Sequence, residues 1–182
     1  MRKLIYAINF TVDGCFDHTK MIPDEEILEY YTHLVREADL TVYGRKTYQL
    51  MVPYWPDIAE KHSQTKAEND FADAFDSVNR VVFSRSLERA DGKTRIVRTN
   101  LKDEILKLKQ QPGKNILTGG VNLPSQLIEL GLVDEFRFVI MPVIAGEGRR
   151  SLEVSLPATL QLKLVESKIF ESGCVALRYL KR

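Results

Sequence analysis

Asn115-Ile-Leu-Thr-Gly-Gly-Val-Asn-Leu-Pro-Ser-Gln-Leu-Ile-Glu-Leu-Gly-Leu-Val-Asp-Glu135 decides how the chain is read. Ile116-Leu117 is a short apolar run of the kind that forms a buried strand, and Gly119-Gly120 punctuates it. Leu123, Leu127, Ile128 and Leu130 then recur at helical spacing, and Gly131 closes the helix. The pattern is strand, tight glycine turn, helix. A turn without Cβ atoms lets a ligand approach the backbone, and the first N–H groups of the helix point at whatever sits there. Such a place suits a phosphate or pyrophosphate. The same residues also fit an ordinary strand-to-helix connection, because two glycines in a turn carry little specificity.

Outward from this stretch, residues 135–143 read as a long strand ending at Pro142, and residues 144–151 as a glycine-rich, basic loop. Leu160, Leu162 and Leu164 alternate in a strand over 160–170, and residues 175–180 alternate as well. Glu171-Ser172-Gly173 joins the two as a hairpin. In the other direction, Leu101, Ile105, Leu106 and Leu108 mark a helix that Pro112-Gly113 stops. Residues 95–97 and 80–84 read as strands, and Phe71, Ala72, Ala74 and Phe75 as the apolar face of a modest helix within 63–77. Pro53-Tyr54-Trp55-Pro56 reads as a break in regular structure. Residues 40–43 form a strand, and Pro23-Asp24-Glu25-Glu26 starts a helix that runs to about residue 38. The first strand covers 4–12 and ends at the Asp13-Gly14 turn. Alternating strand and helix followed by antiparallel strands describes a single α/β domain over 1–182, a mixed sheet with helices on its faces.

Composition narrows the function classes. The 182 residues are 44% hydrophobic and 28% charged, as in a soluble globular protein. A net charge of +1 argues against a nucleic-acid scaffold. No apolar run is long enough for a membrane helix, and the short run after Met1-Arg2-Lys3 is broken by Asn9, so it reads as a strand rather than a signal peptide. Cys15 and Cys174 are too few for a disulfide framework or a metal knot, and cytoplasmic residence is the expectation.

Three strand ends carry phosphate-friendly residues. Gly44-Arg45-Lys46-Thr47 follows one directly, with a hydroxyl and two cations beside a possible helix start; a solvated basic turn is the alternative. Ser84-Arg85-Ser86 ends the next, and a hydroxyl with an arginine suits a ribose 2′-phosphate; a plain turn is the alternative. Thr118-Gly119-Gly120 ends the third. In a parallel sheet all three ends lie on one edge, where open α/β sheets bind ligands. No Walker motif, GxGxxG or Gly-x-Ser-x-Gly is present, and His18, His33 and His62 lack metal spacing. Asp13 and Asp24 are the acids near the first strand; they serve equally as a turn residue and a helix-start residue.

Val12-Asp13-Gly14, Tyr43-Gly44-Arg45-Lys46-Thr47-Tyr48, Val82-Phe83-Ser84-Arg85, Thr118-Gly119-Gly120-Val121-Asn122-Leu123, residues 131–135 and residues 142–148 together resemble the dihydrofolate reductase-like proteins. The branch they resemble is the one related to the reductase domain of bacterial riboflavin biosynthesis. The resemblance implies a three-layer α/β/α domain around a mixed, mostly parallel sheet with antiparallel C-terminal strands. It also implies NADPH as hydride donor and a homodimer, with a small molecule rather than nucleic acid or membrane as partner. Cofactor contacts are then expected at Ala7, Gly44, Arg45, Lys46, Thr47, Ser84, Arg85, Thr118, Gly119, Gly120, Val121, Asn122 and Leu123. Asp13, and after it Asp24, is the expected catalytic acid, with Asn9, Tyr31, Tyr48 and Arg149 on the substrate side and no metal.

The sequence departs from that family pattern at the substrate. Riboflavin reductases carry an acid just before the Gly-Gly turn, where this chain has Thr118, and the deaminase domain with its zinc ligands is missing. Dihydrofolate reductases place an acid on the first helix; here Glu29 is the only acid in 27–31, and Asp24 falls several residues early. The expectation is an NADPH-dependent reductase of a small heterocyclic or ribosylamino-pyrimidine-type substrate. A non-catalytic NADPH- or nucleotide-binding module of the same fold is the alternative.

Overall fold

The computed structural model describes residues 1–149, 152 and 154–182, so Arg150 and Ser151 of the basic loop lie outside the described residues. Its centre is β1 (Leu4–Thr11), flanked in parallel by β5 (Asn115–Thr118) and β6 (Glu135–Met141). β2 (Ala38–Gly44), β3 (Asn79–Phe83) and β4 (Thr94–Val97) extend the parallel part beyond β5. β8 (Val175–Lys181) and β7 (Leu162–Ile169) add antiparallel strands beyond β6. The order is β4-β3-β2-β5-β1-β6-β8-β7 in one eight-stranded sheet.

The central strands are apolar on both faces, as a parallel sheet covered by helices requires. Leu4 and Tyr6 of β1 pack with Val42, Ile116 and Phe136 beneath α5 (Leu101–Gln110) and α6 (Asn122–Glu129). Ile5, one position out of phase, joins Tyr43, Leu117, Phe71 and Phe75 beneath α1 (Glu25–Arg36) and α4 (Lys66–Asp76). Each fully buried Ile, Leu or Phe contributes roughly 1.5–3 kcal/mol. Local signals set the helix ends. Asp24 caps α1 by accepting from Ile27 N, and Thr65 with Glu68 forms a capping box on α4. Gly131 takes a left-handed φ of 67° just past α6.

Some elements differ from the sequence reading. The 53–56 segment is not simply a break, because α3 (Trp55–Lys61) starts inside it. Pro56 occupies the first turn, where a missing N–H leaves no bond unmade. α2 (Arg45–Met51) follows β2 without a loop, two residues earlier than a start at Thr47. β6 stops at Met141 because Pro142 has no N–H to give to the ladder. β7 is an edge strand with a register shift between Leu164 and Glu166, and Ile169 is 78% exposed.

A buried ionic cluster ties the sheet centre to its antiparallel flank. Glu135, 1% exposed, accepts from Arg137 Nε at 2.5 Å and from Arg178 Nε at 3.0 Å and Nη2 at 3.2 Å. At the opposite strand end from the cleft described next, Asp134 accepts from Leu4 N at 2.8 Å and from the buried Lys109 Nζ at 2.6 Å.

Candidate functional site

β5 is short. Its last residue, Thr118, pairs with Tyr6 of β1 and Val42 of β2, yet β1 runs on to Thr11 and β2 to Gly44. The sheet therefore opens between β1 and β2 above Thr118, where the crossovers diverge to opposite faces. The cleft at this point has a volume of about 1450 Å³.

Two glycines form its floor. A Cβ on Gly119 would lie 3.4 Å from the Ala7 carbonyl oxygen, so the turn crosses β1 in backbone contact. Gly120 has φ +82°, and a Cβ there would overlap the Thr47 hydroxyl of α2. The Tyr6 hydroxyl donates to Gly120 O at 3.0 Å, and the buried Thr118 hydroxyl donates to Val42 O at 2.8 Å. These bonds fix the turn relative to β1 and β2. A groove that only backbone can line is the shape a pyrophosphate needs.

Three helix starts that border the cleft are bare, while Asn100 caps a fourth, that of α5. α2, α3 and α6 have no side-chain cap, whereas α1, α4 and α5 are capped by Asp24, Thr65 and Asn100. The first N–H groups of α2 and α6 are left to a ligand or to water. Charge agrees with that arrangement. Arg45, Lys46, Arg85, Arg98 and Arg149 line the cleft, and among the described lining residues Asp17 is the sole carboxylate. Asp17 caps a 3-10 turn over His18–Lys20, and bonds from the Thr19 hydroxyl and N–H hold its carboxyl below the usual range.

The expected cofactor positions converge. Ala7, Gly44, Arg45, Lys46, Thr47, Ser84, Arg85, Thr118, Gly119, Gly120, Val121, Asn122 and Leu123 all border this one cleft. Ser84 Oγ accepts from Leu87 N at 2.9 Å and so shapes the turn that carries Arg85. Asn9, Tyr31 and Arg149 border the cleft as well, with Arg149 Nη1 donating to Asn122 Oδ1. Tyr31 donates its phenol proton to Asn9 Oδ1, and burial pushes that phenol well above its ordinary pKa.

Three expected positions do not reach the cleft lining. The Asp13 carboxylate accepts from Ala145 N at 3.0 Å, Gly146 N at 3.1 Å and the Thr11 hydroxyl at 2.5 Å, and so pins the loop after β6. Asp24 is aimed at the N-terminus of α1 as its cap. Tyr48 is the buried residue of α2, donating to Asp91 Oδ1 and accepting from Asp91 N, each at 3.1 Å. Backbone N–H groups satisfy both carboxylates, which is why they turn from the cleft.

The sequence reading missed an aromatic wall. Trp55 meets Phe71 edge-on at 4.5 Å between ring centroids, Phe71 stacks on Phe75 at 6.2 Å, and Phe75 stacks on Tyr43 at 6.5 Å. All four border the cleft, as does Tyr54. Pro56 after Trp55 was the signal, a helix start rather than a break. Arg98, Thr99 and Asn100 were missed too, although Thr99-Asn100 before an apolar run is a helix-start pattern at another strand end.

Comparison with known proteins agrees with this geometry. Residues 2–176 match the family described as the RibD C-terminal domain. The chain belongs to the RibD C-terminal domain family. This family member is 34% identical over 182 residues to the uncharacterised protein YyaP of Bacillus subtilis (strain 168), covering 98% of this chain and 94% of that one. Its fold is shared with the Thermotoga maritima diaminohydroxyphosphoribosylaminopyrimidine deaminase/5-amino-6-(5-phosphoribosylamino)uracil reductase at TM-score 0.68 and 13% identity. That match covers 100% of this chain and 57% of the Thermotoga chain. It is also shared with Enterococcus faecalis dihydrofolate reductase at TM-score 0.64 and 11% identity, covering 99% and 96% of the two chains. The α/β sheet with antiparallel C-terminal strands is thus a dihydrofolate reductase-like fold.

Proposed function

We propose that this RibD C-terminal domain family protein is an NADPH-dependent reductase of a small heterocyclic or ribosylamino-pyrimidine-type substrate. The observation that carries the reading is the two-glycine floor beside five cations and one carboxylate, because a backbone-lined, cationic groove fits a dinucleotide carrying an extra phosphate. Gly119, Gly120, Val121, Asn122 and Leu123 with Thr47 hold the pyrophosphate, and Gly44 keeps the approach open. Ser84 and Arg85, with Arg45 and Lys46 nearby, hold the 2′-phosphate. Ala7 and Thr118 border the nicotinamide end, with Asn9 and Tyr31 beyond. When bound, the dihydronicotinamide supplies the hydride. The chain's own residues orient both partners, and the aromatic wall keeps water from the reacting face. The neighbouring Thermotoga and Enterococcus proteins are named as reductases, the latter in a complex with NADP(H), which agrees with this reading.

Calorimetric titration of NADPH into the protein, followed by NADPH oxidation assays with dihydrofolate, pteridines and the riboflavin-pathway pyrimidine, tests the proposal. Saturable NADPH binding with turnover on one of these supports it. No binding at millimolar NADPH overturns it. One observation favours a second reading, a binding module without turnover: neither Asp13 nor Asp24 lines the cleft. Tight NADPH binding with no oxidation across the panel would establish that reading.

Two further expectations accompany the proposal. The exposed apolar edge at Leu164, Val165 and Ile169 supports a homodimer. Action on a small molecule in the cytoplasm is part of the same reading, and among the described residues no helix is long and apolar enough to cross a membrane.

A further inference from the structure

Tyr6 stands in the middle of β1, fully buried, between Thr118 of β5 and Phe136 of β6. Phe136 and Phe138 hold its ring edge-on, at centroid separations of 6.4 and 5.9 Å. The hydroxyl is thereby delivered to one point, where it donates to Gly120 O at 3.0 Å. Burial pushes this phenol up, which keeps the donated proton in place.

The receiving peptide matters for what it carries on its other edge. A trans peptide is planar, with C=O and N–H on opposite sides, so holding Gly120 O against Tyr6 turns the Val121 N–H away from Tyr6. Val121 borders the cleft, and among the described residues nothing accepts from its N–H. The start of α6 has few such donors. Pro124, in its first turn, has no N–H, and Ser125 N is already bonded to Val121 O. Val121, Asn122 and Leu123 are then the N–H groups that this helix start offers. Gly119 and Gly120 precede them without Cβ atoms, so backbone propensity alone leaves the 120–121 peptide free to pivot.

We propose that Tyr6 is a positioning residue, whose hydroxyl holds the Gly120–Val121 peptide so that the Val121 N–H faces the diphosphate bridge of the dinucleotide. Without that bond the peptide pivots and brings the Gly120 oxygen, the negative end of the same dipole, toward the phosphates. Fixing the peptide before binding also removes an ordering cost that the ligand would otherwise meet. The role rests on the cofactor reading above for the identity of the ligand, while the contact itself is to a diphosphate.

Tyr6→Phe removes one oxygen and keeps the edge-on packing against Phe136 and Phe138. Three ligands are titrated into both proteins by calorimetry: NADPH, inorganic pyrophosphate, and adenosine 2′-monophosphate, which serves only the Ser84–Arg85 end. NADPH and pyrophosphate should each bind about threefold to tenfold more weakly to the variant, the worth of one hydrogen bond, and adenosine 2′-monophosphate equally to both proteins. A residue that merely supports the fold would lower the melting temperature and leave all three affinities alone. A general loosening of the cleft would weaken all three alike. Either result overturns the proposal. By NMR on isotope-labelled native protein, pyrophosphate should move the Val121 amide proton downfield, and the shift should shrink in Tyr6→Phe. An unmoved Val121 amide in the native protein overturns the proposal, and this measurement decides if the variant does not fold. Native protein that binds pyrophosphate at the turn but not NADPH would sink the reductase reading, and the Tyr6 comparison is then made on pyrophosphate. Binding of neither by the native protein overturns both.

Discussion

The Thr47 hydroxyl stands where a side chain on Gly120 would have to go. The turn after β5 and the first turn of α2 therefore meet across the cleft through one hydroxyl and bare backbone. Gly120→Ala must shift Thr47 and also place a Cβ at φ +82°. Stability should fall by about 1–2 kcal/mol in chemical denaturation, and NADPH affinity at least about tenfold by calorimetry. Adding Thr47→Ala should restore part of the stability but not the affinity. Full recovery of both would mean the turn does not hold the cofactor.

Arg85 borders the cleft, and no ion pair or hydrogen bond holds its guanidinium among the described residues. Arg85→Ala should weaken NADPH by about tenfold to a hundredfold, the worth of a charge-assisted contact, and leave NADH nearly unchanged. Comparing the two cofactors in parallel titrations checks this. Equal losses would remove Arg85 from the 2′-phosphate.

Asp24 caps α1, so Asp24→Ala should lower stability by about 1 kcal/mol without changing the turnover rate at saturating substrate. Asp13→Ala should loosen the 145–146 loop, visible as faster amide exchange there. A folded Asp24→Ala protein with turnover abolished would return that residue to catalysis.

Burial would push the Glu135 carboxyl up, but bonds from Arg178 and Arg137 outweigh it and hold the pKa below the ordinary 4.5. A depressed carboxylate contributes stability that is present above its unfolded pKa and is lost as pH falls through the folded one. Melting temperature should hold from neutral pH down to about the ordinary glutamate value and then drop. Arg178→Met should be less stable at neutral pH and show a shallower acid limb. An identical acid limb would place the acid sensitivity elsewhere.

Ile169 projects from edge strand β7 with most of its surface in water. Under the homodimer proposal, Ile169→Asp should convert the species seen by sedimentation to monomer with the fold intact. No change in sedimentation would place any dimer contact on another face.

Much of the site was readable along the chain. Gly44 to Thr47, Ser84-Arg85 and Thr118 to Leu123 each announce a strand end by local pattern, and parallel pairing carries them to one edge. The acids were not readable. Asp13 and Asp24 sit next to the first strand in sequence, but whether a carboxylate faces a pocket or a backbone N–H depends on where neighbouring segments fold. Ala145 and Gly146, 132 and 133 residues away, claim Asp13. Tyr48 likewise turned inward because Asp91, 43 residues on, supplies its partner.

The sequence by itself determined the order of the eight strands and of α1, α4, α5 and α6, the glycine turn, the helix start at Asp24 and the cationic strand ends, since these depend on side-chain period and on contacts within a few residues. Only the tertiary structure decided that β5 stops short beside β1, that α3 brings Trp55 to Phe71, and that Tyr31 meets Asn9. Those contacts join segments separated by loops whose closure no local propensity records. They, more than any motif, define the shape of the cleft.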